Sequence, residues 1–474
     1  MTFQRRSVLD LSSEEITQGS LTRALVVLAT PLLVQNLVQV VQQVVDLFFL
    51  GRLSSAAVAA VGLSLPVLAL CFALVITLPF VGTQILVSQR VGGEDVSGAR
   101  RAAATGLGVA VALGVVGGLV LWVGARPLVD LLTRVQPGGA NVTALATVYL
   151  SVLAVGLPAA AASDAIEAAF VGWGDSRAPL YVSVATVATN LVLDPVLIFG
   201  LGPAPALGVE GAALATVAGY VAGFLLAAGL ALAGRDGWVY TRATARFEAD
   251  DLRELFDVGA PIAGQGAVRQ VVRVLIVTVA FAAGGTAGLA AYSIGGRVAS
   301  VAFVPALGLQ QAAQSVVGQN LGAAKPDRAE RATYLGVGLA AGGLAVIGAV
   351  QWLFPVPVAT LFAPAFTDRA LSLSVSYLEI LAYGYPAIGV AYLFEAGFNG
   401  ARRTRTSLVA TLAQFWVVRL PLAAGAGVVL GAGVVAVFWA VTISNLVVAV
   451  GLWFYYRREV GDGMLQRASE RAST

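Results

Sequence analysis

Residues 102–124 read AAATGLGVAVALGVVGGLVLWVG and contain no charged side chain over 23 positions. An α-helix of about 20 apolar residues is long enough to cross the hydrocarbon core of a bilayer. The chain has 474 residues, of which 58% are hydrophobic and only 12% are charged. Soluble domains carry about a quarter charged residues. The composition therefore predicts an all-α integral membrane protein.

Apolar runs of this kind recur along the chain and predict twelve transmembrane spans, which places both termini on one side of the membrane. Of the 29 arginines and lysines, 21 lie in segments on the side of the termini, four lie on the opposite side and four fall within spans. Positive loops face the cytoplasm. We therefore predict a multi-pass plasma membrane protein with both termini cytoplasmic. The predicted spans are near 22–50, 56–88, 102–124, 142–172, 178–200, 208–233, 254–283, 287–316, 331–354, 372–399, 406–430 and 434–456.

The two halves of the sequence repeat each other. A shift of 230 residues superposes Pro31 on Pro261, and a shift of 228 superposes Glu167 on Glu395. Because each copy holds an even number of spans, the copies have the same topology and are expected to be related by a pseudo-twofold axis along the membrane normal. The prediction is two six-helix bundles. Its segments are a cytoplasmic N-terminal segment at 1–20, a first lobe at 21–233, a cytoplasmic linker at 234–253, a second lobe at 254–457 and a cytoplasmic tail at 458–474.

The residue inventory excludes several function classes. The chain has no histidine, which removes histidine-based acid and base chemistry and histidine metal sites, and its one cysteine, Cys71, lies in an apolar run. The arginines cluster in loops and form no nucleic-acid face. We therefore expect neither an enzyme nor a cofactor nor a nucleic-acid partner.

Four polar residues of the first span lie at i, i+4, i+7 and i+11, which confines them to one face of a helix. They are Gln35, Gln39, Gln42 and Asp46. An ionised aspartate facing lipid costs several kcal/mol. The stripe is therefore predicted to face protein or a water-filled cavity, and Pro31 can bend the same helix upstream.

The fifth span repeats this pattern with polar residues at helical spacing, and Pro195 follows the last of them directly. They are Ser183, Thr186, Asn190 and Asp194. Asp46 and Asp194, with Asn190, supply the hard oxygen ligands that suit Na⁺, or else a site for a proton. Alternatively, the two aspartates only bond neighbouring helices or cap helix ends. Glu167 of the fourth span is a further candidate contact, with an ion pair or a bond to a neighbouring helix as the alternative.

The second copy loses the acid site, because Asp46 falls opposite Ile276 and Gln39 falls opposite Arg269. Carboxylate chemistry is therefore expected in the first lobe alone. The arginines of the second lobe are expected to pair with its glutamates in a structural role. These residues are Arg269, Arg273, Arg419, Glu379 and Glu395.

Four segments resemble the multidrug and toxic compound extrusion (MATE) family. VDLFFLGRL at 45–53 is similar to the end of that family's first helix, and GWGDSRAP at 172–179 is similar to its Arg-Gly-x-Gly-Asp-Thr-x-x-Pro loop. NLVLDPVLIFG at 190–200 resembles its fifth-helix motif, and GQNLGA at 318–323 resembles its loop between the eighth and ninth helices. The resemblance covers essentially all twelve spans and is strongest to the prokaryotic branch that resembles the DNA-damage-inducible transporters.

The resemblance implies a cofactor-free, monomeric antiporter that exports organic, cationic or amphipathic compounds in exchange for Na⁺ or H⁺ by alternating access. This chain departs from the family at Glu167, where relatives often carry asparagine, and at Val171, where the loop motif usually begins with arginine. The candidate ion and substrate residues are Asp46, Asp194, Asn190, Gln39, Glu167, Thr216, Gln35 and Gln42, with Asp46, Asp194 and Asn190 as Na⁺ ligands.

Other functions stay open at this point. The main alternative is a flippase for lipid-linked saccharides or lipids with a similar fold, for which the second-lobe arginines leave room because they suit an anionic headgroup. A membrane receptor or scaffold would normally bring a soluble domain or a long tail, and none is visible. A channel is also possible in principle, although nothing in the sequence resembles a selectivity filter.

Overall fold

The computed structural model describes residues 11–135, 139–202, 204–234, 248–362 and 368–473, and within these ranges every regular element is a helix. Most of the predicted linker at 234–253 lies outside the described residues. The α-helices are α1 (Ser13–Gln18), α2 (Leu21–Leu53), α3 (Ser55–Val75), α4 (Thr77–Gly92), α5 (Val96–Val135), α6 (Gly139–Trp173), α7 (Arg177–Phe199), α8 (Val209–Leu232), α9 (Ala249–Ala302), α10 (Val304–Gly322), α11 (Pro326–Leu353), α12 (Pro355–Phe362), α13 (Asp368–Gly400), α14 (Thr404–Leu412), α15 (Leu420–Ala424), α16 (Val434–Gly461) and α17 (Met464–Ser473), and two π-helical turns cover Ala413–Arg419 and Gly425–Val429.

Eleven helical stretches in the described ranges are long and apolar enough to cross a membrane. One of them, α9, has 54 residues and is interrupted at Gly285, whose φ of 61° and ψ of −154° are non-helical. That backbone conformation is essentially restricted to glycine. The part of α9 before Gly285 is one span, and the part after it continues into α10 as the next. The predicted all-α fold with twelve spans is therefore confirmed.

Helix α5 shows how the apolar sequence is used. Ala102, Ala103 and Ala110 are fully buried, whereas Leu119 and Val123 are 60% and 65% exposed. A soluble protein rarely leaves such a continuous apolar surface open to water. The small residues of this helix pack inside the protein, and the large apolar ones are suited to contact lipid.

The contacts divide the chain into two compact units, each of which includes the start of one long helix from the other half of the sequence. One unit comprises Met1–Leu33, Gly92–Glu94 and Gly264–Thr474, and the other comprises Val34–Val91 and Asp95–Ala263. Within the first unit, Gly308 packs closely against the backbone of Ala29 and Leu33 in α2. Within the second unit, Gly259 of α9 packs closely against Leu78.

Candidate functional site

Helices α2, α7 and α8 bring the predicted polar residues of the first half together. Gln42 Nε2 donates to Asn190 Oδ1 at 3.0 Å. Asn190 Nδ2 lies 3.4 Å from Asp194 Oδ1 and 3.4 Å from Thr216 Oγ1, and donates to both. Asn190 and Asp194 lie one helical turn apart in α7, which places them on the same face. Asn190 is therefore the residue that links the three helices.

The carboxyl groups of Asp46 and Asp194 lie within hydrogen-bonding range of each other, but neither can donate to the other when both are ionised. Asp46 Oδ1 and Asp194 Oδ2 are buried and have no hydrogen-bond partner among the described residues. Two carboxylates cannot both carry a negative charge in contact unless a cation or a proton lies between them. The acid pair, which we define as Asp46 and Asp194, can therefore hold one monovalent cation or one proton.

The ligands around the acid pair suit a hard monovalent cation better than a transition metal. They are carboxylate, amide and hydroxyl oxygens, with Asn190 and Thr216 beside Asp194. No group of three or more histidine, cysteine, aspartate or glutamate side chains suited to a metal ion occurs among the described residues. The two unpaired carboxylate oxygens are available as ligands, and the Asn190 amide oxygen, which accepts from Gln42, has a second lone pair.

Glu167 forms a second polar cluster with α2. Gln35 Nε2 donates to Glu167 Oε2 at 3.0 Å, and Ser163 Oγ donates to Glu167 Oε1 at 3.0 Å. Asp164 lies close enough to Glu167 for their charges to interact. Glu167 is 5% exposed and no arginine or lysine of the described residues pairs with it. It therefore makes the helix-to-helix bond that the sequence left as an alternative to substrate contact.

Gln39 and two tyrosines complete the surroundings of the acid pair. The Gln39 side chain is exposed, and no hydrogen bond to any described residue holds it. Tyr149 lies within electrostatic range of Asp46 and Asp194, and Tyr220 lies within range of Asp46. The sequence did not single out these tyrosines, because their helices carry no polar stripe at those positions.

Glu395 is the centre of the corresponding cluster in the second half. Gln265 Nε2 donates to Glu395 Oε1 at 3.0 Å, Gln310 Nε2 donates to Glu395 Oε2 at 3.3 Å, and Arg269 Nη2 pairs with Glu395 Oε2 at 3.3 Å. The internal repeat contains the signal for this contact, since Gln265 and Glu395 correspond to Gln35 and Glu167. The structural pairing expected for Arg269 is confirmed.

The same expectation is wrong for the other second-half residues. Arg273 and Arg419 form no salt bridge with any described residue, and neither does Glu379. Arg419 instead donates to Ser444 Oγ at 2.8 Å and to Asn445 Oδ1 at 2.5 Å. Neutral oxygens orient the Arg419 guanidinium but leave its charge uncompensated.

The sequence model of the MatE family matches residues 31–196 and 261–424. The chain belongs to the MATE family. The two matched segments start 230 residues apart, which is the offset of the internal repeat. Membership makes the protein a multi-pass membrane transporter of small compounds.

Individual MATE proteins resemble the chain over most of its length. A FAD transporter of Shewanella oneidensis is 28% identical, and the match covers 87% of this chain and 89% of the relative. A probable multidrug resistance protein NorM of Pseudomonas aeruginosa is 30% identical, with coverage of 91% and 88%. A solved structure described as the outward-facing conformation of a multidrug resistance MATE family transporter superposes with a TM-score of 0.88 at 25% identity, covering 95% of this chain and 98% of that one.

Proposed function

We propose that the protein is a secondary active antiporter that exports organic, cationic or amphipathic compounds in exchange for Na⁺ or H⁺ by alternating access. It works as a monomer in the plasma membrane, with both termini in the cytoplasm. The first lobe at 21–233 binds the coupling ion, and exchange of this ion for the substrate drives the alternation of the first lobe and the second lobe at 254–457.

The contact between Asp46 and Asp194 carries this proposal. A buried acid pair with two unpartnered oxygens binds a cation or proton readily and loses it when the surroundings change. A site of this kind couples two ligands when binding of one alters the affinity for the other. The names of the relatives, multidrug resistance proteins and a FAD transporter, agree with organic cargo.

A second candidate is a flippase for lipid-linked saccharides or lipids. The uncompensated charges of Arg273 and Arg419 favour it, because an anionic headgroup would neutralise them. The acid pair favours the antiporter, since a flippase that runs down a lipid gradient has no use for a buried cation site. Movement of labelled anionic lipid across the bilayer without any ion gradient would support the flippase.

The test is gradient-driven transport by the purified protein in proteoliposomes. Na⁺ and pH gradients are imposed separately, and uptake of a fluorescent organic cation and a fluorescent amphipathic anion is followed. We expect one of the two gradients to drive uptake, and Asp46→Asn to abolish that drive. Asp130→Asn is the matched control, because the Asp130 side chain is 47% exposed and pairs with Arg126 one turn away in α5. Uptake that ignores both gradients, or that survives in Asp46→Asn, would refute the antiporter.

A further inference from the structure

We propose that the second half of the protein contains a binding site for an organic anion, formed by Arg273 and Arg419 beside an aromatic wall. The ligand class is an aromatic ring system that carries a phosphate, sulfonate or carboxylate group. The inference rests on the proposed transport function, and it narrows the amphipathic cargo of that function to aromatic anions. The aromatic wall is defined as Tyr292, Tyr377, Tyr392 and Phe415.

Both arginines lie deep within membrane spans. Arg273 in α9 and Arg419 in the π-helical turn are ten residues or more from either end of their spans. A charged arginine at such a depth is costly unless it faces a polar cavity or a partner of opposite charge.

In the part of the chain that the structure describes, no carboxylate pairs with Arg273 or Arg419. The carboxylate of Glu395 is already committed to Arg269, Gln265 and Gln310. Glu379, which lies in α13 as Glu395 does, forms no salt bridge with any described residue. Two positive charges are therefore left for a ligand to neutralise.

The Arg419 guanidinium is held in a fixed position. Ser444 accepts from its Nε and Asn445 accepts from its Nη2, while its central carbon lies 4.2 Å from the centroid of the Phe415 ring. Both hydrogen-bonded residues come from α16. A guanidinium that is anchored on one edge and stacked on one face keeps further N–H groups for two oxygens of an anion.

The backbone around Arg419 departs from the α-helix. The N–H of Leu420 bonds to Phe415 O, which is the i to i+5 bond of a π-helix over Ala413–Arg419. Pro421 follows directly and has no N–H to offer. π-helical turns within α-helices are frequent at functional sites, because the extra residue changes the direction of the side chains that follow.

The aromatic wall is suited to contact the ring system of the ligand. Tyr292 and Tyr377 stack at 5.6 Å with an interplanar angle of 15°. Tyr292, Tyr377 and Tyr392 all lie within electrostatic range of both Arg273 and Arg419. Tyr292 and Tyr392 are half-buried, so part of each side chain is accessible, whereas Tyr377 is buried and supports Tyr292 from within the protein. Aromatic rings beside a pair of guanidinium groups favour binding of an aromatic anion over binding of an inorganic anion.

The test is equilibrium binding by titration calorimetry with the full-length protein in detergent. The probes share one ring system and differ in charge: 1-naphthyl phosphate, neutral 1-naphthol and cationic 1-naphthylmethylammonium. We expect the phosphate to bind at least tenfold more tightly than the other two. Arg273→Gln and Arg419→Gln should each weaken phosphate binding about tenfold and leave 1-naphthol unchanged, because each removes a charge-assisted contact.

The controls separate the site from general effects of charge and folding. Arg458→Gln makes the same chemical change at the exposed end of α16, where Arg458 pairs with Asp462, and this variant should bind the phosphate as the wild type does. Arg273 is exposed and makes no hydrogen bond to any described residue, so Arg273→Gln should fold normally even if Arg419→Gln does not. Arg419→Lys should weaken binding less than Arg419→Gln, since it keeps the charge and loses the two-pronged contact.

Two further measurements complete the test. One identifies the source of the anion, and the other distinguishes failure of this inference from failure of the transport proposal. Displacement of 1-naphthyl phosphate by phosphatidylglycerol but not by phosphatidylcholine would assign the site to a lipid headgroup, and no displacement would assign it to a soluble compound. Equal binding of all three probes, or unchanged phosphate binding in both arginine variants, would overturn the inference. The binding assay needs no ion gradient, so anion binding by the wild-type protein without gradient-driven exchange would refute the antiporter alone.

Discussion

Gln265 donates to Glu395 at 3.0 Å, and Gln35, its counterpart in the first half, donates to Glu167 at the same distance. Each half therefore has the same bond between its first and fourth membrane spans. These spans are α2 and α6 in the first half, and α9 and α13 in the second. The surroundings of the bond differ, because Arg269 neutralises Glu395 while no arginine or lysine of the described residues pairs with Glu167. The shared bond has a structural role. The two halves differ in whether an arginine pairs with the glutamate that accepts this bond.

Replacing these two glutamines should have unequal effects on stability. Gln265 is fully buried and also donates to Thr411 at 2.6 Å, whereas Gln35 is half-buried. Gln265→Leu leaves more buried acceptors without a donor. We therefore expect the free energy of unfolding to fall by about 1–3 kcal/mol, compared with about 0.5–1.5 kcal/mol for Gln35→Leu. Thermal unfolding of the two variants in detergent measures the difference. Equal losses would show that the second-half bond is not the more buried one.

The pair formed by Arg269 and Glu395 should show strong coupling in a double-mutant cycle. Arg269→Met leaves the buried Glu395 carboxylate without its cation, at a cost of about 1–3 kcal/mol once the 35% exposure of the Arg269 side chain is allowed for. Combining it with Glu395→Gln should recover much of that loss. Stability is measured by thermal unfolding, and losses that simply add would contradict the salt bridge.

Gly285 should tolerate no side chain. Its φ of 61° lies in a region that other residues avoid, and an added Cβ would meet no neighbouring atom, so the cost of Gly285→Ala is backbone strain alone, about 1–3 kcal/mol. Gly296→Ala is the control, because Gly296 is helical and its Cβ would also meet open space. That control should be neutral or slightly stabilising. Equal unfolding temperatures for the two variants would contradict the interruption of α9.

The short helix α1 should depend on Lys325 and Arg328 for its position. Arg328 Nη2 donates to Gly19 O at 2.8 Å, and Lys325 Nζ donates to Thr17 O at 3.1 Å. These cations satisfy carbonyls at the end of a helix too short to be stable alone. Losing both should therefore release α1.

Maleimide labelling of Ile16→Cys in a Cys71→Ser background measures this release, because Ile16 is fully buried and Cys71 is the chain's one cysteine. We expect slow labelling in that background and fast labelling after Lys325→Gln and Arg328→Gln are added. The control is Arg331→Gln in α11, the helix that contains Arg328, and it should leave labelling slow. Unchanged labelling in the double variant would show that other contacts hold α1.

Much of this architecture was predictable because it depends on runs of residues. The lengths of the apolar segments predict the spans, and the spacing of Gln42 and Asp46 predicts that they share a face. The bonds from Gln42 to Asn190 and from Gln35 to Glu167 were not predictable, since periodicity specifies a face of a helix and not the neighbour that it meets.

Other features had no usable sequence signal. The π-helical turn at Ala413–Arg419 has one residue more than an α-helical turn. Pro421 is the one feature of the sequence that points to it. The partners of Arg419, Ser444 and Asn445, lie in α16 and depend on how that helix is rotated against its neighbour. The expectation that arginines in a membrane span pair with the nearest glutamates therefore failed for Arg419.

The central claim is that Asp46 and Asp194 hold the ion that is exchanged for substrate. Its most direct test is reverse coupling: an outwardly directed substrate gradient is imposed on proteoliposomes, and uphill entry of ²²Na⁺ or of protons is followed with radiolabel and an internal pH dye. We predict that the wild-type protein and Asp130→Asn move one of these cations uphill and that Asp46→Asn combined with Asp194→Asn moves neither. Cation entry at the wild-type rate in a folded double variant would contradict the account.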